Sequence, residues 1–419
     1  MDRITNKHFL QSIGILLAII LVIGCDTKKT ESKPEPVEDY TSFADDFTFM
    51  SEYTDMIELT DPTGQGKIAV SAALQGRVMT SSAAGSEGRS YGWINRELFA
   101  SRDTLEHINV FGGEERFWLG PEGGQYSIFF EKGTEFSLDN WYTPRLIDVE
   151  PFEIKKNTPN SVSFTKKAAL TNYSDFSFEL EIERKVEILS AHTISAELGV
   201  DIEMDIKSVA YRTTNTLSNI GDKDWQKETG LLSIWLLGMY NASSSTTIII
   251  PFYPGSEEIL GKPVTDDYFG KVPSERLIVK DSVLYFSGDA TYRSKIGLSP
   301  SRAKDILGSY DSENSVLTIV KYNKPAGVSN YVNSLWELQE QPYKGDVVNS
   351  YNDGPPAPGE KQLGQFYELE TSSPALALKV GEKSTHTQLT CHFEGDEKSL
   401  NKIAQQLLGV SIEEIVNIF

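Results

Sequence analysis

Hydrophobic and polar residues alternate over long stretches of this chain, and the clearest case is "FSFELEIERKVEI". There Phe176, Phe178, Leu180 and Ile182 fall on one side, and Ser177, Glu179, Glu181 and Glu183 on the other. A period of two with one apolar and one charged face predicts a strand in a sheet that is wet on one side only. The runs "KIAVSAALQGRVMTSS", "SVSFTKKAALTN", "TISAELGVDIEM", "LLSIWLLGMY", "STTIIIPFY", "RLIVKDSVLYFSG", "SVLTIVKYN" and "HTQLTCHF" are equally rich in β-branched and aromatic residues. Asn, Asp, Gly or Pro often punctuates them, so each is expected to be a strand. Strands do not alternate with helical patterns, which argues against a doubly wound parallel sheet.

The two ends of this region differ. In "FADDFTFMSEYTDMIEL", Phe43, Phe47, Met50 and Ile57 sit at near-helical spacing, so a short helix is expected to open the domain. In "DEKSLNKIAQQLLGVSIEEIVNIF", Leu400, Ile403 and Leu407 form one stripe with Asp396 as N-cap, giving a helical segment over 396–419. With no repeat and no second composition break, residues 41–419 read as one large all-β domain.

The first forty residues are of another kind. Arg3 and Lys7 precede the apolar run "IGILLAIILVI" (Ile13 to Ile23), too short to span a bilayer comfortably and suited to export. It ends in "VIGC", which resembles a bacterial lipobox and implies lipidation at Cys25. Residues 1–24 are then a lipoprotein signal peptide, and 25–40, polar and proline-bearing, a flexible tether. An uncleaved anchor is the alternative. Both place the domain in the bacterial cell envelope, facing the periplasm or the cell surface.

Charge and cysteine count narrow the partners. The 419 residues carry 60 Asp and Glu against 39 Lys and Arg, a net charge of −21. Phosphate backbones need clustered cations, so nucleic acid is not an expected partner. Beyond Cys25 only Cys391 remains, which excludes an intrachain disulfide and cysteine-based zinc sites. His386 and His392 share a strand face but stand about 20 Å apart, too far to hold one ion. Cys391 falls on the opposite face with Leu389 and Phe393, as a core residue. No metal and no cofactor is expected, and a monomer is.

The chemistry concentrates in "HINVFGGEERFWLGPEGGQYSIFF". Gly112-Gly113 and Gly123-Gly124 permit positive φ or close backbone approach, and between them stand a guanidinium, an indole and carboxylates. That mixture suits a sugar, aromatic faces stacking on C–H-rich surfaces and polar groups bonding hydroxyls. It equally suits a structural hairpin with Trp118 in the core and Arg116 in a salt bridge. Other polar clusters are Gln75 with Arg77; Arg212 and Asn215 at a strand end; Arg293 and Lys295 on one strand face; and Asp346, Asn349, Tyr351 and Asp353 in a loop. Two cations together in so acidic a chain suit a carboxylate, as in a uronic acid.

The runs "GGEERFWLGPEGGQYS" and "FYELETSSPALALKVGEKSTHTQLTCHFEG" resemble parts of the galactose mutarotase-like (aldose 1-epimerase-like) β-supersandwich superfamily, in a bacterial lipoprotein branch. Val380 stands in "ALKVGE" where that family usually has proline. The resemblance implies a large antiparallel β-supersandwich with a sugar cleft walled by the glycine-rich segment. It implies general acid–base ring opening, a carboxylate taking the anomeric proton while an acid protonates the ring oxygen. Glu368 is the preferred base, deeper in its strand than Glu370 at the rim. His192, the only mid-chain histidine, falls in an expected strand, so His107 is the candidate acid, a departure from the family pattern. Asn109, Arg116, Trp118, Glu122, Gln125, Arg212, Asn215, Arg293, Lys295 and Glu370 are candidate contacts. Three functions stay open: an epimerase-like enzyme, a carbohydrate-binding lipoprotein without catalysis, and an assembly lipoprotein that binds protein.

Overall fold

The alternation at 176–183 produces the strand Ser177–Ile188, with Phe178, Leu180 and Ile182 buried and Ser177, Glu179 and Glu183 exposed. The computed structural model describes residues 40–419, which form one compact unit. Cys25, the signal peptide and nearly all of the tether lie outside the described residues.

Two antiparallel sheets dominate the domain. The larger has ten strands, running edge to edge from Leu277–Lys280 to Glu153–Thr158. The smaller has five, in the order Ser294–Leu298, Val348–Asn352, Phe366–Ser372, Ser233–Asn241 and Arg116–Gly120. Burying an apolar face against another is how sheets escape water. Phe117, Leu119, Ile234 and Leu236 of the small sheet join Phe164, Phe178, Leu180 and Ile182 of the large one in one core cluster. Tyr367, Leu369, Val348 and Ile296 join Ile248, Leu307 and Val320 in another. The fold is therefore the expected antiparallel β-sandwich.

Helices cover part of the large sheet's other face. Asp396 caps Glu397–Leu407 by accepting the amides of Lys398 and Ser399, and Leu400 and Ile403 pack on Leu389, Cys391 and Phe393. The opening helix Phe43–Ser51 has a capping box between Ser42 and Asp45, and it ends before Ile57, which starts a strand.

One expected strand is a helix. Overlapping the first half of "TISAELGVDIEM", the chain forms the helix Ala191–Leu198, capped by the Ser190 hydroxyl on the Thr193 amide and closed by Gly199 at φ 70°. Ile194 and Leu198, four apart, bury one face. A serine N-cap and a glycine C-cap outweigh the β-branched residues between them. His192 is exposed on this helix. "GDVVNSYNDG" is corrected the other way: it is not a loop but contains the strand Val348–Asn352.

The two glycine pairs serve different needs. Gly112 sits at φ 90°, and a Cβ there would lie 2.0 Å from the Trp93 carbonyl oxygen. Gly123 has no such torsion, but a Cβ on it would lie 2.4 Å from the Leu335 oxygen. Gly112→Ala is expected to lower stability by at least about 2 kcal/mol, positive φ and the backbone collision adding. Urea denaturation measures it; a midpoint equal to wild type would refute the close approach.

Candidate functional site

Side chains on a strand alternate between faces, so each strand of the small sheet sends one parity into the core and the other outward. Register pairs Arg116 with Leu237, Trp118 with Trp235, Leu237 with Glu370, and Glu368 with both Met239 and Tyr351; Tyr351 in turn pairs with Lys295. These residues therefore share the face turned away from the large sheet. The core parity of the same strands is apolar, whereas this one carries Arg116, Trp118, Trp235, Glu368, Glu370, Asn349, Tyr351 and Lys295.

Charge on this face is closely matched. Arg116 Nη2 donates to Glu368 Oε1 at 2.6 Å, and Lys295 Nζ lies 3.0 Å from Glu370 Oε1 and 3.1 Å from Oε2. Trp235 Nε1 also donates to Glu370 Oε2, at 2.9 Å. Arg116 is 4% exposed, Glu368 6% and Glu370 0%. Glu370 is thus the deeper carboxyl, not the one at the rim; its strand lies mid-sheet, with neighbours on both sides. Burial is the largest influence on Glu368 and, with the neighbouring Glu370 and against Arg116 and Lys295, pushes its carboxyl up to about 8. Lys295 is held above the ordinary lysine range: burial opposes its charge, but Glu370, Glu122 and Glu368 outweigh that.

Aromatic rings extend the face at one end. Trp118 meets Trp235 edge-on at 5.6 Å and Phe129 at 5.5 Å, Phe129 stacks on Trp141 at 5.7 Å, and Trp141 on Trp336 at 6.0 Å. Cations lie over them, Arg116 5.1 Å from the centre of Trp118 and Lys295 5.0 Å from that of Trp235. Glu122 lies against this group: burial pushes it up to about 7, Lys295 opposes the rise and Glu370 adds to it. Trp141 and Trp336 hydrogen-bond the Glu122 carboxyl, whereas the buried Arg116 Nε and Trp118 Nε1 have no hydrogen-bond acceptor among the described residues. Such donors want one.

The structure thus brings together Arg116, Trp118, Glu122, Lys295, Glu368 and Glu370; Arg293 is not in the strand with Lys295 but just before it, beside Tyr351. Gln125 is a clamp beside it, donating to the Gln339 carbonyl at 2.8 Å and accepting the Gln339 amide at 2.9 Å. His107 is engaged behind the wall: its Nδ1 lies 2.6 Å from the Trp141 carbonyl oxygen, and its ring stacks on Tyr142. Asn109 is buried in loop bonds to Asp148 and Leu105. Arg212 and Asn215 are not at a strand end but inside the strand Lys207–Asn219. Arg212 pairs with Glu197 of the 191–198 helix at 2.5 Å. Asn215 accepts from Arg184 between the sheets.

Trp235, Trp141 and Trp336 were not among the expected contacts. Trp235 stands in "LLSIWLLGMY", apolar at both parities, so the pattern there could not say which face is the site. Trp141 and Trp336 arrive from connecting segments, where periodicity gives no signal.

Solved structures similar to this chain are galactose mutarotase-like and aldose 1-epimerase-like proteins. A candidate aldose 1-epimerase from Escherichia coli K12 is 11% identical, with 82% of this chain and 99% of that one covered and a TM-score of 0.48. A galactose mutarotase-like protein from Lactobacillus casei is 11% identical over 81% and 99%, TM-score 0.46. A galactose mutarotase related enzyme from Lactobacillus acidophilus is 10% identical over 81% and 98%, TM-score 0.44. No curated protein matches the chain. Residues 41–419 match the sequence model of a family of unknown function, DUF6786.

Proposed function

This chain belongs to DUF6786, and from the geometry of its small sheet we propose that it is an exported, lipid-anchored, carbohydrate-active protein with aldose epimerase-like acid–base chemistry. The carrying observation is the line Arg116–Glu368, Glu370–Lys295, beside Trp118 with its unused donor. Burial beside a second carboxyl raises Glu368, and that makes it the proton donor of the pair.

Glu368, raised to about 8, holds its proton at neutral pH and is the acid. This reverses the sequence-based expectation that it is the base. Glu370, fastened by Lys295 and Trp235, is the acceptor. In the step proposed, Glu368 gives its proton to the ring oxygen while Glu370 takes that of the anomeric hydroxyl. The bond between the anomeric carbon and the ring oxygen breaks and the aldehyde forms; closure on the other face returns both protons. His107 is assigned no step.

The test is anomerisation of reducing sugars, neutral and acidic, followed by polarimetry. Acceleration over buffer is expected, and its absence across the panel rejects the enzyme reading. A second reading, sugar binding without turnover, is favoured by how fully the carboxyls are already engaged. Under either reading Trp118→Ala is expected to weaken glycan binding at least about tenfold, since it removes an unused donor and loosens the packed rings around Arg116. Unchanged affinity would remove Trp118 from the site. The envelope location rests on Cys25, and Cys25→Ala is expected to release the protein from membranes on fractionation.

A further inference from the structure

The far end of the same face carries a cation that the proposed chemistry does not use. Arg293 is half-buried, its guanidinium 4.2 Å from the centre of the Phe269 ring. Unlike Arg116 and Lys295, it closes no ion pair among the described residues. The nearby carboxylate, Asp353, interacts with the guanidinium charge, but its oxygens accept the Tyr351 hydroxyl at 2.8 Å and the Gly364 amide at 2.7 Å. Arg293 hydrogen-bonds the Tyr351 hydroxyl, but a guanidinium carries five N–H donors, and its remaining edge matches two oxygens of a carboxylate or a sulfate.

Position ties this group to the site. Arg293 stands just before the strand Ser294–Leu298 and two residues before Lys295, about 7 Å along the chain, and its hydrogen bond to Tyr351 places it beside the site. Tyr351, whose hydroxyl holds Asp353, is the register partner of both Lys295 and Glu368. A sugar unit held at Glu368 would therefore have its neighbour, or its own acidic substituent, at Arg293. The surrounding rings are unusually open: Phe269 is 49% exposed and Tyr292 43%. The Arg276 guanidinium lies 5.4 Å from the centre of the Tyr292 ring, and exposed aromatics beside a polar face suit sugar stacking.

We infer that Arg293, flanked by Phe269 and Tyr292, is a subsite for an oxyanion on the bound glycan, making the ligand an acidic saccharide that bears a carboxylate or a sulfate ester. This rests on the carbohydrate reading above and deepens it. The negative outer surface does not forbid such a ligand, because charges beyond about 8 Å are largely screened at physiological salt.

The test is a printed array of neutral, uronate-bearing and sulfated oligosaccharides, followed by calorimetric titration of the bound ones. The wild-type protein is expected to bind acidic members at least about tenfold more tightly than their methyl-esterified or desulfated forms. Whichever neutralisation removes affinity identifies the anion. R293Q is expected to lose that same tenfold while changing neutral-glycan affinity less than about twofold, and R293K to keep part of the preference as a point charge. Should R293Q unfold, the wild-type comparison of acidic and neutralised glycans decides alone. Binding of neutral glycans only, or an acidic preference untouched in R293Q, overturns the subsite and leaves the carbohydrate reading standing. No glycan bound at all overturns both.

Discussion

Glu368→Gln is expected to lower the anomerisation rate by about 10²- to 10⁴-fold, the range of a general acid or base removed from its site. Glutamine keeps the shape and can still meet Arg116, so the loss reports the missing proton and not a collapsed wall. The pH profile carries a second signature. Burial, reinforced by Glu370 and opposed by Arg116 and Lys295, pushes the Glu368 carboxyl up to about 8. The acid form is therefore present at neutral pH and is lost as pH rises through about 8. The wild-type rate is expected to fall there, and the residual rate of the variant is expected to lack that limb. Stability carries the same sign: a carboxyl whose folded pKa is raised binds its proton more tightly when folded. Its contribution is full below the ordinary glutamate range and is lost as pH rises towards 8. Denaturant titrations at pH 5 and pH 9 are expected to show wild type losing ground relative to Glu368→Gln. A variant with the wild-type rate would end the role given to this residue.

Arg184→Met is expected to cost about 3–5 kcal/mol of folding stability, since it strands a carboxylate in the interior. Arg184 continues the buried parity of the 177–188 strand, so a charge enters the space between the sheets. There it donates to Glu115 at 3.0 Å, to Asn215 at 2.5 Å and to the Gly76 carbonyl at 2.9 Å. Gln388 donates to the other Glu115 oxygen at 3.0 Å. Without the arginine, Glu115, already raised by burial, is expected to take up a proton, so the loss is larger at pH 8 than at pH 5. Arg184→Met with Glu115→Leu is expected to regain part of the stability, because no charge is left unpaired, although Asn215, Gln388 and the Gly76 carbonyl each lose a partner. Urea midpoints for both variants decide it; a single-variant loss below about 1 kcal/mol would show that the interior ion pair contributes little.

Where residue parity is clean the sequence was legible. The strand at 177–188, the terminal helix with its Asp396 cap and the core place of Cys391 all follow from period and capping. The 191–198 helix was missed because β-branched residues were weighted above its two caps. The carboxyl pair was legible as residues facing one way, but not which was deeper, since depth depends on the flanking strands of a sheet assembled from distant segments. Asn215 and Arg116 look alike in sequence, each a polar residue within a strand. Only the choice of sheet face separates a bond between the two sheets from one on the small sheet's other face.

That choice of face has an evolutionary corollary. Glu368 and Glu370 are kept out of the core by the phase of a single strand, with Tyr367 and Leu369 at the opposite phase. Deleting one residue upstream within that strand would turn both acids inward and both apolar residues out, whereas deleting two would restore the phase. The connecting segments that bring Trp141, Trp336 and Asp353 obey no such parity. Length variation among related chains should therefore accumulate in those segments and redraw the ligand, while the carboxyl pair stays in step.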